Sequence, residues 1–325
     1  MTDPLTIWLN AGLPERAMGV LQSNIAPHKL VIATQRNASN LVPGAADPLL
    51  EQADVAYGQP DPKQVVDCPR LKWIHLTTAG YTRYDSAPFR EAMRARNTIV
   101  TNSSAVYDAP CAEHILAMML SLARQLPQAL DEQRNTRAWS SKPFRARSRL
   151  LDGQTAIIYG FGSIARRLVE LLAPLRLNMV SVRRTVRGDE TVRMVTATEA
   201  DALLPQADHV IDILPAAEHT DGFFSAERLA RIKRGAIFYN IGRGATVDQN
   251  ALQSALQNGN LAAAYLDVTN PEPLPPDHPL WSLPNCFITP HTAGGSEDEF
   301  DRGVRHFLDN LHRFTAGHPL INRVI

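Results

Sequence analysis

Short apolar runs alternate with polar connections along the whole chain, and their character changes near residue 105. Before that point TIWLN, KLVIAT, ADVAYG, KWIHLTTAG and TIVTNSSA are brief and separated by Pro-rich or polar stretches. This pattern predicts parallel strands with crossover connections. Asp108 and Pro110 then stand at the head of a helical segment running through Arg124, where an aspartate cap and an early proline both favour a helix start. Residues 127–150 carry many arginines, Pro143 and little periodicity. They read as an exposed, partner-facing arm anchored by Trp139, or as a solvated loop.

From Thr155 the alternation becomes regular. Strand TAIIYG is followed by a helix from Ile164 to Leu175, then strand MVSVR, a helix after Thr198, strand HVIDIL, a helix from Ser225, strand AIFYNI, a helix over 248–258, strand AAAYLDV and finally CFITP. Such a series predicts an α/β doubly wound parallel sheet. Gly259 is a helix stop signal, and Thr198-x-x-Asp201 has the form of a capping box. The last helix is expected to open at Ser296-x-x-Glu299 and to set Phe300, Val304, Phe307, Leu308, Leu311 and Phe314 on one core-facing stripe.

One turn in this series suits an anion. Gly160 and Gly162 fall between strand and helix in YGFGSIARRL, a G-x-G-x-x-A pattern in which Ala165 takes the place of a third glycine. Glycines there let the backbone approach a pyrophosphate, and the first N–H groups of the helix point at it. Gly160, Gly162, Ser163 and Ile164 are therefore candidate cofactor contacts, as are Leu214 and Pro215 at the end of HVIDILP. An acidic residue roughly 20 positions past the glycines would bind a ribose 2′-hydroxyl. Here Arg183 and Arg184 lie 23 and 24 positions after Gly160, with no Asp or Glu in MVSVRRT. Guanidinium forks pair with phosphate oxygens, so NADP(H) is expected to be preferred over NAD(H).

The strand ends of the second half carry the candidate chemistry. Arg243 follows AIFYNI, Glu272 follows AAAYLDV, and His291 follows CFITP. An arginine can hold a carboxylate and polarise a ketone, a histidine can protonate the oxygen, and a carboxylate can orient that histidine. Together they suit reduction of a 2-keto acid.

Composition narrows the partners. The chain has 325 residues, enough for about two domains. Lys plus Arg equals Asp plus Glu at 33 each, so no overall positive field gathers nucleic acid or an anionic membrane. The longest apolar stretch, ILAMMLSLA, is too short to span a bilayer, and MTDPLTIWLN lacks the basic-then-apolar order of a signal peptide. Cys68, Cys111 and Cys286 form no C-x-x-C pair and read as reduced thiols of a cytoplasmic protein. No H-E-x-x-H occurs, and His306 and His312 fall on different helix faces, so no metal is expected.

YGFGSIARRL, NIGRGATVD, LDVTNPEPLPPDHPLWSLPN and TPHTAGG together resemble the D-isomer-specific 2-hydroxyacid dehydrogenase family over residues 72–296. The resemblance implies that Arg243 binds and activates substrate, His291 is the acid/base and Glu272 supports it. It also implies that Asp267 lies near the nicotinamide carboxamide and that Thr78, Ala79 and Gly80 lend backbone N–H groups to the substrate carboxylate. The implied layout is a flavodoxin-like substrate domain of residues 1–104 plus 293–325 and a Rossmann cofactor domain of residues 105–292, with substrate in the cleft between them. Such proteins are usually homodimers, which suits an arm at 127–150. Ala165, Asn270 and Tyr81 depart from the usual pattern, and the chain ends soon after the last helix, unlike the long phosphoglycerate dehydrogenases. Glu272 points away from the formate dehydrogenase branch. Arginines after the second strand are similar to the glyoxylate and hydroxypyruvate reductase branch. The alternative reading is a dinucleotide-sensing corepressor similar to the C-terminal-binding proteins, which share this fold.

Overall fold

The computed structural model describes residues 3–37, 44–186, 188 and 190–325, and divides the chain into two compact units, 1–107 with 296–325 and 108–295. In the first unit, strands β1 (Thr6–Ala11), β2 (Lys29–Asn37), β3 (Val55–Gly58), β4 (Trp73–Leu76) and β5 (Ile99–Thr101) form a parallel sheet in the order β2-β1-β3-β4-β5. That is the flavodoxin-like order, whose switch point lies between β1 and β3. Side chains on a strand alternate between faces, so Ile7 and Leu9 pack with Val304, Phe307 and Leu311 of the last helix, while Trp8 packs with Leu50, Ile74 and Leu76 on the other face. The Phe307 ring stacks on Tyr57 at 4.1 Å between centroids.

The second unit holds β6 (Thr155–Tyr159), β7 (Asn178–Val182), β8 (Arg193–Val195), β9 (His209–Asp212), β10 (Ala236–Asn240), β11 (Leu261–Leu266) and β12 (Cys286–Ile288). Their parallel order is β12-β11-β10-β9-β6-β7-β8, a doubly wound Rossmann sheet. The chain leaves β6 to build β7 and β8 on one side, then returns to build β9 on the other. A crevice therefore opens at the carboxyl ends of β6 and β9, where such sheets take their ligands. Among the described residues no helix is long and apolar enough to cross a membrane.

Several local expectations are corrected. The long helix spans Ser104–Ala123 and begins before Asp108, because the Asn102 side chain accepts from the Ser104 N–H at 3.2 Å and starts the helix early; Pro110 lies inside it. Residues 127–150 are not an aperiodic segment: they contain most of the helix Leu126–Asn135 and all of the helix Ser141–Arg147, joined where Glu132 Oε1 accepts from the Ser140 N–H at 2.7 Å. The capping box is Thr196 with Glu199, two residues before the expected Thr198, since Thr196 is the residue with extended backbone. The last helix begins at Glu299, where Ser296 contributes its carbonyl in a turn and no side chain caps the end. Phe300 is 41 % exposed, whereas Val304, Phe307 and Leu311 are buried. The helix after β6 runs Ser163–Leu172 and tightens into a 3-10 turn over Ala173–Leu175. Strand β8 is an edge strand of three residues, too short for hydrophobic alternation to announce it.

Candidate active site

The glycine turn sits at the switch point. Gly160 has φ +100, and a Cβ there would lie 3.0 Å from the Ile213 carbonyl oxygen, so the turn after β6 presses backbone to backbone on the turn after β9. The following helix has Gly162 at its N-cap and no side-chain cap, and a Cβ on Gly162 would meet open space. Ala165 is fully buried, small enough for the helix to lie close on the sheet. An uncapped ten-residue helix with room at its N-terminus fits a pyrophosphate. Leu214 and Pro215 border the same crevice: the Leu214 N–H donates to Asp212 Oδ1 at 2.9 Å, and Thr220 Oγ1 donates to the Pro215 carbonyl at 2.6 Å.

At the end of β7 the two arginines differ. Arg183 is half-buried, its guanidinium 3.2 Å from Glu190 Oε1 and its N–H on the Val195 carbonyl, while Arg184 is exposed. Glu190 lies beyond the MVSVRRT stretch, so the carboxylate beside Arg183 comes from the following loop.

Strands β10, β11 and β12 are neighbours and deliver their polar groups to one edge. The Arg243 turn is held by Asn240, whose Nδ2 donates to the Arg243 carbonyl at 3.0 Å and whose Oδ1 accepts from the Gly242 N–H at 2.9 Å. Gly244 lies so close to the Thr269 backbone that a Cβ would fall 2.0 Å from it, which brings this turn against the loop bearing Glu272. Gln249 ties the same loop by accepting from the Asn270 N–H at 2.8 Å. His291, at φ +53, donates its backbone N–H to the Asp267 carbonyl at 2.9 Å, and its Nδ1 pairs with Glu272 Oε1. Asp267, buried, accepts from the N–H groups of Thr292 at 2.9 Å and Ala293 at 3.0 Å and from the Thr289 hydroxyl. The structure thus brings Arg243, Asp267, Glu272 and His291 together along one sheet edge. An imidazole paired with a carboxylate, on a sheet edge that also bears an arginine, can bind an anionic substrate and move a proton at its carbonyl.

In the first unit, the turn Thr78-Ala79-Gly80 follows β4. Its carbonyls are engaged within the unit: Ser103 N–H donates to Thr78 O at 2.9 Å, Asn102 Nδ2 to Ala79 O at 2.6 Å, and Thr78 Oγ1 to Gly80 O at 2.7 Å. Gln59, buried beyond β3, donates to the Thr77 and Thr78 hydroxyls at 3.1 Å each.

A family model described as D-isomer specific 2-hydroxyacid dehydrogenase, NAD binding domain, matches residues 116–293. The chain belongs to the D-isomer specific 2-hydroxyacid dehydrogenase family. As a member of it the protein is an oxidoreductase with an NAD(P)-binding Rossmann domain, acting on small 2-hydroxy or 2-keto acids. The chain is 30% identical to glyoxylate/hydroxypyruvate reductase B of Escherichia fergusonii over 86% of its own length and 87% of the relative's. A D-isomer specific 2-hydroxyacid dehydrogenase from Xanthobacter autotrophicus, solved with NADPH and MES, superposes with TM-score 0.79 at 26% identity, covering 99% of this chain and 98% of that one. A probable 2-hydroxyacid dehydrogenase from Rhizobium etli, solved with NADP, HEPES and L(+)-tartaric acid, gives TM-score 0.80 at 25% identity, covering 100% and 98%.

Sequence reasoning missed parts of this dehydrogenase site. His114 Nε2 contacts the Tyr265 hydroxyl, which contacts Thr289, so a chain of polar side chains backs Asp267. Burial lowers the His114 pKa. Asp212 and Thr246 meet under the Arg243 turn. The available signal for Asp212 was an acid inside the apolar run HVIDIL.

Proposed function

We propose that the enzyme reduces a small 2-keto acid of the glyoxylate or hydroxypyruvate class to the D-2-hydroxy acid, using NADPH in preference to NADH. The observation that carries this reading is the pairing of His291 Nδ1 with Glu272 on the edge that bears Arg243. With Nδ1 engaged, Nε2 is the atom left to face substrate. Arg243 binds the carboxylate and polarises the ketone oxygen. A bound nicotinamide dinucleotide would supply the hydride. His291 Nε2 gives its proton to the ketone oxygen, Glu272 balances the ring's charge beforehand, and solvent returns the proton afterwards. Asp267 orients the carboxamide side of the dinucleotide site. Gly160, Gly162, Ser163, Ile164, Leu214 and Pro215 line its phosphates, and Arg183 and Arg184 take the 2′-phosphate.

Relatives named glyoxylate/hydroxypyruvate reductase and neighbours solved with NADPH or NADP support this choice of substrate and cofactor. The enzyme works as a homodimer in the cytoplasm: Leu126, Leu130, Trp139 and Leu150 expose apolar surface suited to a second copy, and the three cysteines lie in no disulfide among the described residues. The test follows the absorbance of the reduced nicotinamide with glyoxylate and hydroxypyruvate, NADPH and NADH side by side. Fast NADPH oxidation with slow NADH oxidation is expected. Equal rates with both cofactors would remove the preference, and no oxidation with either substrate would remove the substrate class.

A further inference from the structure

Asp212 closes strand β9 between Tyr159 of β6 and Asn240 of β10, fully buried. A carboxylate in such a place is expected to have a cation beside it. Among the described residues none lies within ion-pair distance. The titratable side chain facing it from β6 is Tyr159, whose own hydroxyl is buried without a partner. Arg228, near Tyr159, is paired with Asp201 at 2.8 Å, and His209 stands at the far end of β9. Along β10 the register partner is neutral Asn240, and in the turn beyond it Arg243 directs Nη1 to the Gly242 carbonyl at 2.6 Å.

The hydrogen-bond partners of Asp212 account for the missing charge. Oδ1 accepts from the Leu214 N–H, and Oδ2 meets the Thr246 hydroxyl. That hydroxyl also lies 2.6 Å from the Arg243 carbonyl oxygen, closer than the other donors there, Asn240 Nδ2 at 3.0 Å and Thr246 N at 3.2 Å. The Thr246 hydroxyl carries one proton for two oxygen partners, and an uncharged carbonyl has none of its own to give. With that proton on the Arg243 carbonyl, the contact with Asp212 is completed by a second proton, which only the carboxyl can carry.

We propose that Asp212 is a positioning residue: held protonated, it donates to Thr246, whose hydroxyl in turn fixes the carbonyl of Arg243, and its ionisation frees that turn and weakens keto-acid binding. Burial without a countercharge pushes the Asp212 carboxyl up to about 7, within the working range of an intracellular enzyme. Once ionised, Asp212 draws the Thr246 proton to itself and the Arg243 carbonyl loses its shortest donor. The effect on binding rests on the reading of Arg243 as the substrate-binding arginine; the protonation itself does not.

Two measurements separate the parts. Infrared difference spectra of the intact enzyme near neutral pH, wild type minus Asp212→Asn, should contain a buried carboxylic-acid C=O band that disappears as pH is raised. Its absence would overturn the proposal. At saturating cofactor, KM for glyoxylate or hydroxypyruvate should rise about tenfold in the wild type between about pH 6 and pH 9, the loss of roughly one hydrogen bond. Asp212→Asn, which always donates an N–H to Thr246, should abolish that component of the rise, with kcat and NADPH affinity little changed. Thr246→Val should hold the high KM at every pH, and Thr246→Ser, which keeps the hydroxyl, should restore wild-type behaviour even if the valine variant folds poorly. A KM rise in Asp212→Asn equal to that of the wild type would overturn the coupling. If Arg243→Lys leaves KM unchanged while the infrared band is present, the reading of Arg243 fails and the protonated Asp212 stands.

Discussion

Strand β9 ends in two buried titratable groups, His209 at its amino end and Asp212 at its carboxyl end, and burial favours the neutral form of both by opposite shifts. The His209 ring is lowered to about 4, chiefly by desolvation, while the Asp212 carboxyl is raised to about 7. At the amino edge the neutral imidazole is satisfied on both sides, Nδ1 by the Tyr239 hydroxyl at 3.1 Å and Nε2 by Gln154 Oε1 at 2.6 Å. That edge engages both ring nitrogens within the fold. At the carboxyl edge Asp212 reaches, through Thr246, the turn that bears Arg243, beside the loops of Glu272 and His291. The same strand thus supports a packing role at one end and, in the proposed function, a chemical one at the other. What separates them is the loops each end meets, since every strand is parallel and the carboxyl ends face the same crevice.

Substitutions at the two edges should diverge, and the largest divergence is expected at the proposed proton donor. His291→Gln should lower kcat about 10³-fold while NADPH binding, followed by fluorescence titration, and Tm stay near wild type. A near-normal kcat would erase the chemical character of the carboxyl edge. Arg243→Lys comes next, with kcat/KM for the keto acid down about 10²-fold because an ammonium lacks the planar fork that grips a carboxylate. Further along the same edge, replacing Arg183 and Arg184 together by alanine should raise KM for NADPH about tenfold and leave KM for NADH within about threefold. Equal rises for both cofactors would show that the arginines do not read the 2′-phosphate. The smallest effect belongs to the amino edge: His209→Gln should leave kcat intact and lower Tm by about 2–4 °C, the cost of roughly one hydrogen bond in a domain of this size. Because the folded-state pKa of His209 lies below its ordinary 6.5, its contribution to stability is present above that value and is lost as pH falls toward about 4. Scanning calorimetry across that window should find a steeper acid loss in the wild type than in His209→Gln. A fall in kcat for His209→Gln would join the two edges functionally.

Much of the carboxyl edge was legible before the fold, because a parallel sheet places chemistry just past its strand ends. Gly160 and Gly162 stand out as two glycines between an apolar run and a helix, and Arg243 and His291 each follow a strand within three residues. Asp212, Thr246, His114 and Tyr265 were not legible in the same way. Their contacts join residues 34 and 151 positions apart, and nothing local to either partner reports the other. The start of the helix at Ser104 escaped for a different reason: Pro110 is a strong start signal, and the Asn102 cap that overrides it lies earlier in the chain. Phe300 matched the helical period of the core stripe but stays 41 % exposed in the first turn of the helix.

Local chemistry alone determined that this chain alternates strands and helices, turns on glycines where a pyrophosphate fits, and ends neighbouring strands in arginine, carboxylate and histidine. Periodicity and turn propensity act over a few residues, so they are written in the order of the letters. Only the tertiary structure decided that Glu190 sits against Arg183 and that a buried aspartate stands behind the Arg243 turn. Those outcomes depend on strand order and on desolvation, and burial is a property of the packed assembly of residues, not of any one of them.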